Sequence, residues 1–285
     1  MSALILERMR LRAWPTVQRA VAIVVVLIAM SVMAVGCGRQ SAGTITEAGS
    51  TTVEPVAERL AAEYMQKHPD IQVITGGGGT AVGITSVNNG LVDIGAASRE
   101  LKADEPQLVK HLLARDGIAI ITNPKNPVGG LTKDEARKIF GGLITNWKDV
   151  GGSNHAITVV VREEGSGTRT AFEEMVMAKP EPAVQVTNRA LQQNTNVGIR
   201  TYVAGNDYAI GFISFGYLND TVKALSIDGA EATEEDARSG TYPIVRPLYF
   251  LTKEAPTGLV KQFIDFCLSA EGQAIVAQEG YISIT

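Results

Sequence analysis

Thr44-Ile45-Thr46-Glu47-Ala48-Gly49-Ser50-Thr51-Thr52 opens the stretch, running on to Ala96, that decides the fold. Thr44–Ala48 reads as a strand, and Val56, Ala57, Leu60, Ala61 and Tyr64 then fall at helical spacing. Ile71–Ile74 reads as a second strand, Ala81–Asn89 as a short helix and Val92–Ala96 as a third strand. Such strand–helix alternation predicts an α/β sheet covered by helices.

Further along the chain, Ile118–Thr122 is an apolar, β-branched strand that ends at the turn signal Asn123-Pro124. A second α/β set begins beyond Pro127. Its helices are predicted at Lys133–Phe140, Thr168–Met177 and Val197–Ala204, and its strands at Ile157–Val161, Ala209–Ile213 and Val222–Leu225. Ile244–Thr252 is the last strand, and Thr257–Ser269 and Glu271–Glu279 are closing helices. No repeat of fixed period occurs. Two α/β lobes suit the size of the chain.

The N-terminus is a different object. Met1–Arg19 carries Arg8, Arg10, Arg12 and Arg19 against the single acid Glu7, and Ala20–Val35 is then apolar apart from Ser31. A basic start, an apolar stretch and a small residue before the cut make an export signal. The apolar run is shorter than the roughly 20 residues of a permanent membrane helix. Ala34-Val35-Gly36-Cys37 resembles a lipobox, although its first position is Ala where Leu is usual. Residues 1–36 are therefore expected to be a lipoprotein signal peptide, with Cys37 lipid-modified and residues 37–43 a polar tether. More than one acyl chain on that cysteine would give stable anchoring.

Composition excludes several classes. With 45% hydrophobic and 20% charged residues the chain is globular, and its 29 glycines follow no three-residue period. The net charge is −4, and it becomes −7 once the four basic and one acidic residues of the signal are removed. That balance argues against nucleic-acid binding. Two cysteines build neither a disulfide framework nor a four-thiolate zinc site. Cys267, in the helical pattern Val260-Phe263-Ile264-Cys267-Leu268, is expected to be a buried core thiol.

Three segments place glycine and hydroxyl residues just ahead of a helix: Gly49-Ser50-Thr51-Thr52, Gly76-Gly77-Gly78-Gly79-Thr80 and Gly165-Ser166-Gly167-Thr168. Unpaired N–H groups and partial positive charge at helix N-termini suit an anion, and hydroxyls add directed donors. Ser and Thr are also ordinary helix caps, so each segment alone says little. Two arginines sit where predicted strands end, Arg99 after Ser98 and Arg162 ahead of Ser166. In open α/β sheets ligands bind outside the carboxyl ends of strands, and the arginine fork matches phosphate oxygens. Ion pairs with Glu100, Glu163 or Glu164 explain the same two arginines without a ligand.

Enzyme signatures are scarce. Gly165-Ser166-Gly167 lacks the preceding glycine of a nucleophile elbow, and no glycine-rich loop is followed by Lys-Ser or Lys-Thr. His68, His111 and His155 are too scattered for metal-ligand spacing. A pair of Ser166 with His155, distant in sequence, remains the one hydrolase arrangement to test.

Six segments, in order, resemble a known family. They are Gly49–Pro55, Asp93–Glu100, Ile139–Trp147, Arg162–Thr168, Ala209–Phe212 and Tyr242–Leu248. The chain from about Thr44 to Ile284 resembles PstS, the phosphate-binding receptors of bacterial phosphate ABC importers. The resemblance implies a type II periplasmic-binding-protein fold, with two lobes joined by two crossover hinge strands that close over one anion. Lobe one would be residues 44–119 with 248–285, and lobe two residues 120–247. The crossings would fall at Ile118–Thr122 and Arg246–Thr252. It also implies a monomer that binds inorganic phosphate, needs no cofactor or metal, and docks on a membrane permease while tethered outside the cytoplasm. Ser50, Thr51, Thr52, Thr80, Ser98, Arg99, Arg162, Ser166, Gly167 and Thr168 would hold the anion, and Glu164 would brace Arg162.

One position departs from the best-known pattern. Some members have Asp where this chain has Ser98, and that Asp accepts a proton from phosphate; another branch has Ser-Arg, as here. Phosphate near neutral pH still carries protons, a monoester's second pKa being about 6, whereas sulfate carries none. Selectivity for phosphate over sulfate or molybdate therefore needs an acceptor, either the Ser98 hydroxyl or a nearby Glu.

Overall fold

The computed structural model describes residues 43–178 and 182–285. The export segment 1–36, Cys37 and the tether up to residue 42 lie outside the described residues. No helix among the described residues is long and apolar enough to cross a membrane.

β1 (Gly43–Gly49), α1 (Glu54–Lys67), β2 (Ile71–Ile74), α2 (Thr80–Asn88) and β3 (Ile94–Ala97) form the first β–α–β succession. α1 starts with Glu54 and Pro55, ends on Lys67, and buries Val56, Ala57, Leu60, Ala61 and Tyr64. An acid first, a base last and proline in the first turn each suit the helix end they occupy. β3 begins later than the apolar pattern suggests. The Asp93 carboxylate accepts from Thr46 N (2.8 Å) and Thr46 Oγ1 (2.8 Å), so the residues ahead of Ile94 serve as a clamp on β1.

β4 (Val109–Thr122) is the longest strand and extends well upstream of Ile118. Its first half carries Lys110, His111, Arg115 and Asp116, which hide the strand from a search for apolar runs. β5 (Gly130–Leu131) and α3 (Lys133–Phe140) follow, the helix opened by a reciprocal cap between Thr132 and Glu135. β6 (Thr158–Arg162) leads into α4 (Gly167–Phe172), which continues as a π-helical turn over Glu173–Met177. Then come β7 (Leu191–Gln193), α5 (Asn196–Ala204), β8 (Ala209–Ser214), β9 (Lys223–Ala224), β10 (Ser226–Ile227) and α6 (Glu234–Ser239). β11 (Val245–Thr252), α7 (Gly258–Leu268) and α8 (Ala270–Gln278) close the chain.

The main sheet has the order β2-β1-β3-β11-β4-β8-β6-β7, with β9 beside β4. β1, β2 and β3 are parallel, as are β6, β7 and β8. Between these groups, β11 and β4 run antiparallel to each other and to their outer neighbours. Two cores lie on either side of this central pair. One joins Ile45, Leu60, Ile94, Leu113 and Ala114 to Leu248, Phe250, Phe263 and the buried thiol of Cys267. The other joins Ile118–Ile121, Phe140, Trp147, Phe172, Phe212 and Ile244. β4 and β11 are thus the two strands shared by both cores.

Candidate anion-binding cleft

The ends of β1, β2 and β6 place three glycine–hydroxyl segments around one point, with Ser98 after β3 beside them. After β1, Ser50 N donates to Ala96 O (3.0 Å) and Ser50 Oγ accepts from Thr52 N (3.2 Å). That folds Ser50-Thr51-Thr52 into a turn ahead of α1. Tyr217 and Tyr281 secure it, donating to Thr51 O (2.7 Å) and Thr52 O (2.7 Å). Thr80 is the first residue of α2, and its Oγ1 accepts from Ser98 N (3.1 Å) and lies 3.3 Å from Ser98 Oγ. After β6, Gly165 adopts φ 87°, and Ser166 caps α4 by accepting from Arg169 N (3.3 Å). A left-handed residue at that turn suits glycine.

These segments meet across the cleft. Thr52 Oγ1 lies 3.0 Å from Thr168 Oγ1, Arg162 Nη2 donates to Thr51 Oγ1 (3.0 Å), and Ala81 N donates to Gly165 O (3.3 Å). Gly167 packs so closely that a β-carbon there would collide with both Thr80 Oγ1 and Ser98 Oγ. Ser50, Thr52, Thr80, Ser98, Ser166 and Thr168 are all buried. Of the residues singled out in the sequence, Ser50, Thr51, Thr52, Thr80, Ser98, Arg162, Ser166, Gly167 and Thr168 are brought together.

Arg162 is the charged member. Its side chain is 1% exposed and its Nε and Nη2 donate to Glu163 Oε2 (2.8 Å) and Oε1 (2.9 Å). Nη2 also reaches Asn194 O (3.1 Å), while Nη1 is buried without a protein acceptor. An unsatisfied buried donor is costly, and an anion oxygen is the partner it fits.

One expectation is corrected: the acid bracing Arg162 is Glu163, not Glu164, since the adjacent residue lies side-on to the guanidinium, whereas Glu164 is exposed on the turn at Gly165. Arg99 donates from its two terminal nitrogens to Glu105 Oε2 (2.8 Å) and Oε1 (2.6 Å) and from Nη1 also to Glu100 O (2.7 Å), and its Nε is buried without a protein acceptor. Burial would raise the Glu105 carboxyl, but the bonds from Arg99 and from Lys102 N, with the charges of both residues, together outweigh it and hold that carboxyl below its usual value. Glu105 also accepts from Lys102 N (2.8 Å), so the pair organises the 99–105 loop.

Residues without an assigned role complete the surroundings. Arg246 donates from Nε (3.1 Å) and Nη2 (2.8 Å) to Asp116 Oδ2, from Nη1 to Ser98 O (3.1 Å) and from Nη2 to Thr52 Oγ1 (3.1 Å). Asp116 Oδ1 accepts from Ser214 Oγ (2.8 Å) and Phe215 N (3.2 Å), and Asn196 Nδ2 donates to Thr52 Oγ1 (3.2 Å). The available signal was Arg246 alone in the apolar strand Val245–Thr252, whereas Asp116 sits in the polar part of β4.

The hydrolase arrangement is not assembled. His155 stacks on Tyr208 with ring centroids 4.0 Å apart, its Nε2 lies 3.2 Å from the tyrosine hydroxyl, and Ser166 serves as a helix cap. Among the described residues no cluster of histidine, cysteine or acids could hold a metal ion. The cleft is lined by buried hydroxyls and by the guanidinium of Arg162, which Thr51 Oγ1 contacts directly.

The PBP superfamily domain matches residues 38–271. The phosphate-binding protein PstS of Bacillus subtilis is 35% identical over 252 residues, covering 86% of this chain and 82% of its own. A substrate-binding protein of Clostridium perfringens, solved with bound phosphate, superposes with a TM-score of 0.81 at 42% identity, covering 85% of this chain and 100% of its own. An ABC-type phosphate transport receptor from Vibrio cholerae gives a TM-score of 0.72 at 38% identity, over 84% of this chain and 99% of its own. The sheet, its two crossing strands and these likenesses agree, and the chain belongs to the PBP superfamily, within the family of the PstS phosphate-binding proteins.

Proposed function

We propose that this chain is a receptor that takes up inorganic phosphate in the cleft between its lobes and hands it to the membrane permease of an ABC importer. The observation that carries this reading is the buried, unpartnered Nη1 of Arg162, whose Nη2 meets Thr51 Oγ1, beside a cleft where Thr52 meets Thr168 and Gly167 packs against Thr80 and Ser98. Arg162 Nη1 would bond the anion, with the hydroxyls of Thr51, Thr80, Ser98, Ser166 and Thr168 and the first N–H groups of α4 at Gly167 and Thr168 completing its shell, and Thr52 standing behind Thr168. The Thr80–Ser98 pair, in which either oxygen can be the donor, would accept the proton that phosphate carries and sulfate lacks.

On this reading the lobes divide between Ala114 and Ile118 on β4 and between Ile244 and Leu248 at β11, where one core gives way to the other. Closure is a hinge motion about these strands. The protein works as a monomer without catalysis, outside the cytoplasm, held to the membrane by a lipid on Cys37.

Calorimetry on protein freed of bound anion tests the reading. Phosphate is expected to bind at low micromolar concentration or tighter, with sulfate and molybdate far weaker. Binding that favours sulfate would reassign the anion, and no heat with any oxyanion would reject the receptor. Mass spectrometry of the membrane-extracted protein should find acyl chains on Cys37, and a Cys37→Ser variant should be released from the membrane.

A further inference from the structure

We propose that Arg246 is a positioning residue for anion binding: it acts through the Thr52 hydroxyl to aim the Thr168 proton into the cleft. The proposal rests on the phosphate-receptor reading above and adds a residue that does not touch the ligand.

Thr52 Oγ1 has three polar neighbours, Arg246 Nη2 (3.1 Å), Asn196 Nδ2 (3.2 Å) and Thr168 Oγ1 (3.0 Å). The first two are nitrogens that can only donate, and the Asn196 amide is oriented by its Oδ1 accepting from Ser214 N (3.3 Å). A hydroxyl has two lone pairs and one proton. With both lone pairs taken, the Thr52 proton goes to Thr168 Oγ1. Thr168 is then an acceptor towards Thr52, and its own proton is left for the anion beside Gly167. The direction of donation runs from Arg246 through Thr52 and Thr168 to the ligand.

Asp116 holds the start of this relay in place. It accepts two bonds from Arg246 on Oδ2, and its other oxygen is anchored by Ser214 and Phe215. Without the Arg246 donor a lone pair on Thr52 is released. Thr168 can then donate backwards and present a lone pair to the anion, which repels it.

Phosphate titration calorimetry on anion-free protein compares wild type with Thr52→Ser, Thr52→Val, the charge-balanced pair Arg246→Met with Asp116→Leu, and the triple variant, each with its thermal midpoint. Thr52→Ser keeps the hydroxyl and is expected to bind within about twofold of wild type, while Thr52→Val and the charge-balanced pair each lose about tenfold or more. The triple variant should be no weaker than its weaker parent, because both changes break one relay. Losses that multiply in the triple variant, or a folded charge-balanced pair with wild-type affinity, overturn the proposal. Thr52→Val changes no charge, so wild-type affinity in that variant overturns it even if the paired variant does not fold. A wild type that binds no phosphate rejects the receptor reading itself; a binding wild type with unaffected variants rejects only the relay.

Discussion

Asp116 on β4 and Arg246 on β11 stand directly opposite one another in the antiparallel ladder, and both are buried. They sit where the chain passes from one hydrophobic core to the other, between Ala114 and Ile118 on one strand and Ile244 and Leu248 beside the other. Each satisfies the other and also binds groups on one side: Arg246 reaches Ser98 and Thr52, Asp116 reaches Ser214 and Phe215. The pair ties together the two strands at the junction of the two cores.

Breaking that pair from one side leaves an uncompensated buried charge. Asp116→Ala is expected to lower unfolding stability by about 3–5 kcal/mol, measured by urea denaturation. Replacing both partners with apolar residues should recover most of the loss. A wild-type midpoint in Asp116→Ala would show that the charge finds water or another acceptor at no cost.

Arg162 presents the free donor of the cleft. Arg162→Ala should weaken phosphate binding by about 2–5 kcal/mol, since a desolvated charge-assisted contact is lost. Arg162→Lys should restore little, because a single ammonium cannot hold Glu163 side-on and the anion at once. Unchanged affinity in the alanine variant would place the anion elsewhere.

Gly167 packs against the hydroxyls of Thr80 and Ser98 with no room for a side chain. In Gly167→Ala the added carbon meets the Thr80 and Ser98 hydroxyls, so closure is blocked while each lobe folds as before. Phosphate affinity should fall by at least about 1.4 kcal/mol, a factor of ten, with small-angle scattering showing a more open molecule in saturating phosphate. A compact, tightly binding variant would contradict the close packing.

Glu47 on β1 is 3% exposed, and neither carboxylate oxygen has a partner. Burial, aided by Glu54 and Glu58, pushes its pKa from 4.5 up to about 8. Between those values the folded protein keeps a proton that the unfolded chain releases. Stability contributed by this group is therefore full below pH 4.5 and is lost as pH rises towards 8, by about 1.4 kcal/mol for each unit crossed. Glu47→Gln should flatten this decline in a series of thermal melts, and an unchanged slope would count against a neutral Glu47.

The legible parts of the molecule were those with local signatures. Apolar periodicity located α1, β2 and α3 because their buried faces repeat at helix or strand spacing. The glycine–hydroxyl segments were legible because a helix N-terminus within reach of an anion needs small residues and donors. β4 was half hidden, since the polar residues before Ile118 belong to a strand whose partners lie far away in sequence on β11. The same distance hid Arg246 and Asp116, whose meaning exists only once the strands pair. Glu164 was misread, and the partner of Arg99 was not legible, because residue type and position cannot reveal which carboxylate a guanidinium finds. That choice depends on loop geometry, which delivers Glu105 to one arginine and Glu163 to the other.

The arginines in and around the cleft arrive already matched: Arg99 with Glu105, Arg162 with Glu163, Arg169 with Glu173 and Arg246 with Asp116. An entering oxyanion therefore meets formal neutrality and has to spread its charge over N–H and O–H dipoles. Such a cleft ranks anions by the number and direction of their oxygen lone pairs, and chloride, which has no tetrahedral set of oxygens to offer, competes poorly. Anion affinity is then expected to change little between dilute and saline buffer, because screening acts on net charges rather than on aimed dipoles.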